Sequence, residues 1–106
     1  MNYLSHMVIT TKEELIDYVH AYLEDDECAE TVVMYEDMEE AFLGIAKKNN
    51  LLPCLVYDYW KLVDLTMKNY NLDLDEAIVN VDSELINEHY GPQSPIVIML
   101  CRKILR

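Results

Sequence analysis

The segment between Glu13 and Glu40 carries twelve acidic residues and no lysine or arginine. A folded protein rarely concentrates charge of one sign in this way without a positively charged partner or a need for solubility. The whole chain has a net charge of −12 and a pI near 4.4, whereas a small domain commonly carries roughly 2–8 charges. An excess of this size disfavours direct binding to nucleic acid or to an anionic membrane, because both are negatively charged.

Length and composition predict one folded domain. The chain has 106 residues, of which 52% are hydrophobic, and it contains only two glycines and three prolines. This is enough apolar material to bury one core, and it is unlike the composition of a disordered chain. We therefore expect a single acidic globular domain over residues 1–106. Within it, residues 1–9 are an edge strand, a partly disordered end or a partly tag-derived segment.

The cysteines indicate the compartment. Cys28, Cys54 and Cys101 are odd in number and far apart, which is neither a disulfide framework nor a zinc pattern and fits a reducing cytoplasm. Cys54 and Cys101 lie in apolar runs, and we expect both to be buried thiols. No apolar stretch approaches ~18–20 residues and no signal-peptide layout is present, so we expect a cytoplasmic protein.

Capping residues predict where the helices begin. Thr11 with Glu14, Asp37 with Glu40 and Asp73 with Glu76 have the spacing of a capping box, in which each side chain accepts a hydrogen bond from the other residue's backbone N–H. Asp58 follows an apolar run that ends in a tyrosine and has the character of an N-cap. We predict four helices, beginning near Thr11, Asp37, Asp58 and Asp73.

Apolar residues at helical spacing predict the inner face of each helix. These faces are Leu15, Val19, Tyr22 and Leu23 for the first helix; Met38, Ala41, Phe42 and Ile45 for the second; Tyr59, Leu62, Val63, Thr66 and Tyr70 for the third; and Ala77, Ile78, Val81 and Leu85 for the fourth.

Three apolar runs predict strands, at residues 31–35, 53–57 and 96–101. The last run is continuously apolar, which is typical of a strand covered on both faces. Residues 33–36 and 55–58 repeat a pattern of strand, tyrosine and acid before a predicted helix, and this repeat predicts a β-α-β crossover with parallel strands. The expected fold class is α+β, with a mixed sheet of three or four strands packed by about four helices.

The acidic segment is the first candidate site. Carboxylates at positions i, i+3 and i+4 of a helix lie ~5–6 Å apart, and a rigid surface of such pairs can imitate the phosphates of DNA in the basic cleft of a nucleic-acid-binding protein. The alternative is a solvated face that only keeps the chain dissolved. The candidate contacts are Glu13, Asp17, Glu24, Asp25, Asp26, Glu27, Glu36, Glu39 and Glu40.

An aromatic pocket is the second candidate site. Tyr35, Tyr57, Tyr59 and Trp60 stand near the carboxyl ends of two predicted strands, which is where open α/β sheets place ligands. The same residues are also explained if Asp37 and Asp58 only cap helices and the tyrosines belong to the core. The negative charge disfavours an anionic nucleotide, because phosphates need cations or helix N-termini free of acids.

The sequence lacks the patterns of an enzyme. With only Gly44 and Gly91 it has no glycine-rich phosphate loop, and no serine or cysteine stands in a nucleophile motif. His20 and Glu24 are one helical turn apart, a spacing more typical of a surface ion pair than of a metal site. We therefore expect no catalytic residues, no cofactor and no metal.

Short motifs occur in a characteristic order over residues 31–98. They are Val-Met-Tyr-Glu-Asp at 33–37, Glu-Ala-Phe-Leu-Gly-Ile at 40–45, Val-Tyr-Asp-Tyr at 56–59, Glu-Ala at 76–77, Asn87 before Tyr-Gly at 90–91, and Pro-Ile at 95–96. This order resembles a family of small, uncharacterised phage-encoded proteins. The chain departs from that family at 35–37, where Tyr-Glu-Asp replaces Tyr-Asp-Gly, and at 91–95, where Gly-Pro-Gln-Ser-Pro replaces Gly-Glu-x-Thr-Pro. The resemblance implies a viral origin and a host cytoplasm, and it implies no activity.

These observations support two functional hypotheses. The first is a non-enzymatic phage accessory protein that inhibits a host nucleic-acid-binding defence protein, of the anti-CRISPR or anti-restriction type, through a DNA-mimicking acidic surface. The alternative is a protein that sequesters a small signalling nucleotide in the aromatic pocket. The expected partner is a basic host effector or nuclease, without direct contact to nucleic acid or membrane. The oligomeric state, including a homodimer, is left open.

Overall fold

The computed structural model describes residues 9–23, 26–47, 52–88 and 91–101, with the side chains of residues 26–28 excepted. The predicted α+β class, with four helices and a three-stranded mixed sheet, is confirmed. The predicted strand or loose end before residue 9 lies outside the described residues. The elements are α1 (Lys12–Tyr22), α2 (Asp26–Thr31), a 3₁₀ turn (Glu39–Ala41), β1 (Phe42–Ala46), β2 (Cys54–Asp58), α3 (Tyr59–Tyr70), α4 (Leu74–Asn80), a π-helical segment (Val81–Ile86) and β3 (Ile96–Ile98).

The sheet has the order β1-β2-β3. β1 pairs with β2 antiparallel, with Ile45 opposite Leu55, and β2 pairs with β3 parallel, with Tyr57 opposite Val97. Parallel neighbours need a long connection, and here α3 and α4 supply it. The predicted β-α-β crossover therefore exists, but it joins β2 to β3 and not residues 31–35 to β2.

The strand predicted at residues 31–35 is wrong, because residues 32–35 have no regular secondary structure. Val32 and Tyr35 are both buried, although residues three positions apart in a strand point to opposite faces. The backbone N–H of Tyr35 donates to the side-chain hydroxyl of Tyr57, at 3.1 Å. β1 and β3 pair with the two edges of β2, so no edge of β2 is left for residues 31–35 to pair with.

The helix predicted to begin at Asp37 is also wrong, since its inner-face residues lead into and form β1. Asp37 has a φ of 62°, whereas an N-cap residue has an extended backbone. A helix through this segment would contain Gly44, at a cost of about 1 kcal/mol relative to alanine. As a strand, the segment gains ladder hydrogen bonds with β2 and places Phe42 against Tyr18, with ring centroids 5.4 Å apart. Tertiary pairing overrides the local helical pattern.

The other three predicted helices begin where their caps indicate. Two of the three predicted capping boxes form, in α1 and in α4, whereas the box predicted at Asp37 and Glu40 is wrong because no α-helix begins there. Asp58 caps α3, with its carboxylate accepting a hydrogen bond from the backbone N–H of Trp60 at 3.1 Å. The fourth helix is instead α2, a six-residue helix that the capping pattern did not predict.

The core lies between the sheet and the inner faces of the helices. Most predicted inner-face residues are buried or packed against the core. The prediction is wrong for Tyr22 and Tyr70, whose side chains are 60% and 58% exposed. Leu65 is buried without having been predicted. None of the described helices is long and apolar enough to cross a membrane.

β3 is shorter and more open than predicted. It spans three residues, and Ile96 and Ile98 are each 38% exposed, so the expectation of a strand covered on both faces is wrong. The central strand β2 is the one that is buried, as the predicted strand at 53–57 required. Cys54 on β2 is buried as expected, whereas Cys101 is exposed, because it lies beyond the end of β3.

Candidate functional site: the acidic surface and the α4 groove

Residues 36–40 form what we call the acidic turn. It is held from inside by Tyr35, Met38 and Ala41, which are buried in the core. The side-chain amide of Asn69 on α3 also donates to the carbonyl of Asp37, at 3.4 Å. These anchors leave the carboxylates between them pointing to solvent. The exposed acids of the turn are Glu36, Asp37 and Glu40.

Glu39 differs from its neighbours in the acidic turn. It is half-buried, and burial raises the pKa of its carboxyl group, with the nearby charge of Asp37 adding to the effect. Both causes disfavour the charged form. Of the predicted contacts in this turn, Glu39 is therefore the least suited to pair with a cation on a partner.

The acids of α1 form a second exposed group. Glu13 and Asp17 are exposed and lie one helical turn apart. Glu14 is held in place, since its carboxylate accepts hydrogen bonds from the backbone N–H groups of Thr10 and Thr11, each at 3.1 Å. The hydrogen bond from the backbone of Thr10 is the largest cause that lowers the pKa of Glu14, followed by that from the Thr10 hydroxyl. The beginning of α1 is thus a fixed, charged surface.

Aromatic contacts bring α1 next to the strand that follows the acidic turn. The ring of Tyr18 packs edge-on against Phe42, the first residue of β1, and also lies 4.6 Å from the ring of Tyr22. Phe42 follows the acidic turn after one residue. The acids of α1 and of the turn are therefore carried by neighbouring elements.

The remaining predicted contacts come from the segment between α1 and α2. Glu24 and Asp25 lie outside the described residues. Asp26 and Glu27 belong to the first turn of α2, but their side chains are not among those described. The predicted acidic surface is thus described only at α1 and at the acidic turn.

Two open depressions lie side by side along α4 and the π-helical segment. One has a volume of about 500 Å³ and the other of about 300 Å³, and they share Asn80 and Glu84 in their walls. We call the pair the α4 groove. The walls of the first cavity include Leu72, Asp75, Glu76, Val79, Asn80 and Glu84. The walls of the second are Glu36, Met38, Tyr70, Asn80, Glu84 and Leu85.

Two tyrosines position the helical wall of this groove. The hydroxyl of Tyr35 donates to the carbonyl of Leu85 at 3.2 Å, and the hydroxyl of Tyr59 donates to the carboxylate of Asp82 at 3.0 Å. In addition, the hydroxyl of Ser83 donates to the carbonyl of Val79 at 2.7 Å, where α4 changes to π geometry. π-helical turns inside helices are rare and are often found at functional sites.

The tyrosines of the predicted aromatic pocket belong to the core. Tyr35, Tyr57 and Tyr59 are buried, and the rings of Tyr35 and Tyr57 lie 4.8 Å apart. Burial raises the pKa of Tyr57 to about 12. Trp60 is 38% exposed and packs edge-on against Tyr59. None of the four lines either cavity of the α4 groove.

The sequence prediction missed the acids of the α4 groove. Asp75, Glu76 and Glu84 lie outside the first acidic segment and were not predicted as contacts. One signal could have identified them, because the stretch between Lys68 and Arg102 contains six acids and no lysine or arginine. It is a second acidic run, less dense than the first.

The function of this chain has to be inferred from the chemistry of these surfaces. Comparisons with protein-family models, with curated proteins and with solved structures found no match to this chain. Among the described residues, no group of three or more histidines, cysteines and acids is placed to hold a metal ion. The features available are the acids of α1, the acidic turn and the α4 groove.

Proposed function

We propose that this chain is a non-enzymatic protein that binds and inhibits a basic, nucleic-acid-binding protein through an acidic surface that imitates DNA. The observation that carries the proposal is the exposure of carboxylates on neighbouring elements, α1 and the acidic turn. A surface of this kind attracts the cationic cleft that normally holds phosphates, and it would inhibit by occupying that cleft.

The charge pattern of α3 is the internal comparison that supports this proposal. On α3, the exposed Asp64 has Lys61 three residues before it and Lys68 four residues after it. That alternation is typical of a solvated helix whose charges stabilise each other. The acidic turn and the segment before it, back to Glu13, contain no such cations. Solubility alone would not require this separation of charges.

Rigidity is the second support. A mimic of DNA has to present its charges in fixed positions, because ordering flexible side chains on binding costs free energy. The capping box at Thr11 holds the start of α1, and the buried Met38 and the hydrogen bond from Asn69 hold the acidic turn. The carboxylates are thus carried by backbone that is fixed before any partner arrives.

The resemblance to small phage-encoded proteins narrows the proposed partner. A phage protein acting in the host cytoplasm meets defence nucleases and effectors, which bind DNA or RNA through basic clefts. We therefore propose an inhibitor of the anti-CRISPR or anti-restriction type. Long-range attraction between the −12 charge and a basic cleft would give fast association that slows as salt is raised.

The experiment is capture of partners from host lysate, followed by inhibition assays with the recovered protein. The double variants Glu13→Gln with Asp17→Asn, and Glu36→Gln with Glu40→Gln, should each weaken binding and reduce its dependence on salt. An exposed ion pair is worth about 0.2–1 kcal/mol, so each double variant should lose roughly two- to thirtyfold in affinity.

Asp64→Asn is the matched control, because it removes one exposed charge from the mixed surface of α3. It should change affinity less than Glu36→Gln does alone. Unchanged affinity in both double variants, or an equal loss in Asp64→Asn, would rule out the acidic surface as the contact. Recovery of partners with no basic cleft would rule out the imitation of DNA.

A further inference from the structure

The α4 groove combines exposed apolar side chains with carboxylates in the walls of a concave surface. Val79 is 65% exposed in the wall of the larger cavity, and Tyr70 is exposed in the wall of the smaller one. Such residues are not needed for solubility, and an exposed apolar stripe bordered by polar groups is a mark of an interaction site.

The residues of the larger cavity follow one face of a helix. Asp75, Val79 and Ser83 recur every four positions and so lie on the same side of α4 and its π-helical continuation, while Leu72 joins them from the turn before the helix. Together α4 and that continuation span residues 74–86, or roughly 20 Å at 1.5 Å per residue. This length matches three to four turns of another helix lying alongside.

Carboxylates border the apolar stripe. Asp75 and Glu84 belong to the wall of the larger cavity, and Glu36 from the acidic turn belongs to the wall of the smaller one, which also contains Glu84. The long side chains of lysine and arginine can lie along apolar surface while their charged ends reach such carboxylates. The groove therefore offers both kinds of contact to one type of ligand.

We propose that the α4 groove binds a basic amphipathic helix of the protein partner. The apolar face of that helix packs on Val79, and its lysine and arginine side chains reach Asp75, Glu84 and Glu36. A second copy of this chain does not fit, since each copy carries a charge of −12 and the same carboxylates would face each other. This inference rests on the proposed function, because it names the part of a basic partner that is held.

The test uses synthetic peptides and the full chain. One fluorescent peptide places leucine and lysine at helical spacing, so that it is basic and amphipathic. A second has the same composition in an order that gives no apolar stripe. Binding is followed by fluorescence anisotropy, and the contact is located from changes in the amide NMR signals of the labelled protein. The amphipathic peptide should bind more tightly and should shift the signals of α4.

Two variants test the two kinds of contact. Val79→Ser should reduce the affinity for the amphipathic peptide by about fivefold, because part of an apolar side chain is no longer buried on binding. Asp75→Asn should weaken it by about twofold or more and reduce the effect of salt. Both side chains are exposed, so the variants should fold normally.

The matched controls lie away from the groove. Tyr22→Ser removes an exposed apolar side chain from α1, and Asp64→Asn removes an exposed charge from α3. Neither variant should change the affinity for the amphipathic peptide. Equal affinity for the two peptides would overturn the proposal, because net charge alone would then account for binding. Equal losses in Val79→Ser and Tyr22→Ser, or signal changes confined to α1, would also overturn it.

Failure of this inference and failure of the proposed function give different results. If an inhibited partner loses affinity for Glu13→Gln with Asp17→Asn but not for Val79→Ser, the inference is wrong and the function stands. If the amphipathic peptide binds at α4 but no nucleic-acid-binding protein is inhibited, the function is wrong and the groove stands.

Discussion

Residues 35–37 and 57–59 begin with the same pattern, a tyrosine followed by an acid, but they have different structures. Tyr57 lies on the central strand β2, whereas Tyr35 lies in a segment without regular structure. Even so, both tyrosines are buried, with their rings 4.8 Å apart. The core therefore places the aromatic side chain in the same layer whether or not its backbone joins the sheet.

The acids after the two tyrosines show where the segments diverge. Asp58, directly after Tyr57, has an extended backbone and caps α3, while Asp37, the second acid after Tyr35, adopts the left-handed conformation. The difference comes from the next residues in each segment. Asp58 precedes an amphipathic helix, whereas the residues after Asp37 lead into β1, which pairs with β2. One local pattern thus becomes a helix cap in one place and an exposed, charged turn in the other.

The largest expected effect tests the buried member of the tyrosine pair. Burial raises the pKa of Tyr57 to about 12 from 10.0, so the neutral hydroxyl is favoured in the folded state. Its contribution is fully present below pH 10 and is lost as pH rises towards about 12. The stability lost should be about 2–3 kcal/mol. Urea unfolding across this pH range measures it.

The control for this effect is Tyr57→Phe, which removes the titrating group. At neutral pH it should cost about 1–3 kcal/mol, because the buried N–H of Tyr35 loses its acceptor. Its stability should then fall less steeply than that of the unaltered chain over the alkaline range. If stability falls equally steeply with pH in the two proteins, the pKa of Tyr57 is not raised in the folded state.

The two acids should respond to substitution in opposite directions. Asp58→Ala should destabilise the chain by about 0.5–2 kcal/mol, because α3 loses its N-cap. Asp37→Gly should be neutral or stabilising by up to about 1 kcal/mol, since glycine adopts positive φ without steric cost. Urea unfolding measures both changes in free energy, provided that the dependence of that free energy on urea concentration is the same in each variant. Equal losses at the two sites would mean that the side chain of Asp37 makes a stabilising contact.

The smallest expected effect concerns Glu39 within the acidic turn. Its pKa is raised by burial, so the charged form costs stability that the protonated form does not. The contribution of Glu39 to stability is fully present below the ordinary pKa of a glutamate, and it is lost as pH rises through the pKa of Glu39 in the folded state. Glu39→Gln should therefore raise the melting temperature at neutral pH, with the gain vanishing in acid. A gain that persists in acid, or an equal gain in the exposed Glu40→Gln, would contradict this cause.

The features that the sequence predicted correctly depend on neighbours within one turn. The capping boxes at Thr11 and Asp73 and the cap at Asp58 all form, because each satisfies its own first turn. The apolar run within residues 54–57 likewise placed β2 in the sheet. These choices are local, and no distant segment competes with them.

The features that could not be predicted depend on distant partners. Phe42–Ala46 has the spacing of a helix, and only the open edge of β2 makes it a strand. The α4 groove brings Glu36 and Glu84 into the wall of one cavity, although they are 48 positions apart in the chain. No spacing rule along the chain indicates that they share a cavity, because it is formed by packing the acidic turn beside the π-helical segment.

The sheet combines one short connection with one long one, and this has a consequence for how the chain folds. β1 and β2 are joined by residues 47–53, whereas residues 59–95 separate β2 from its parallel neighbour β3. Closing the longer loop costs more entropy before any contact forms. We expect the β1–β2 hairpin to form in the folding transition state and β3 to join after it, so Ile45→Val should slow folding while Val97→Ala should mainly speed unfolding. Most of the walls of the α4 groove come from this longer connection and none comes from β3, so we expect the groove to form without waiting for β3 to pair.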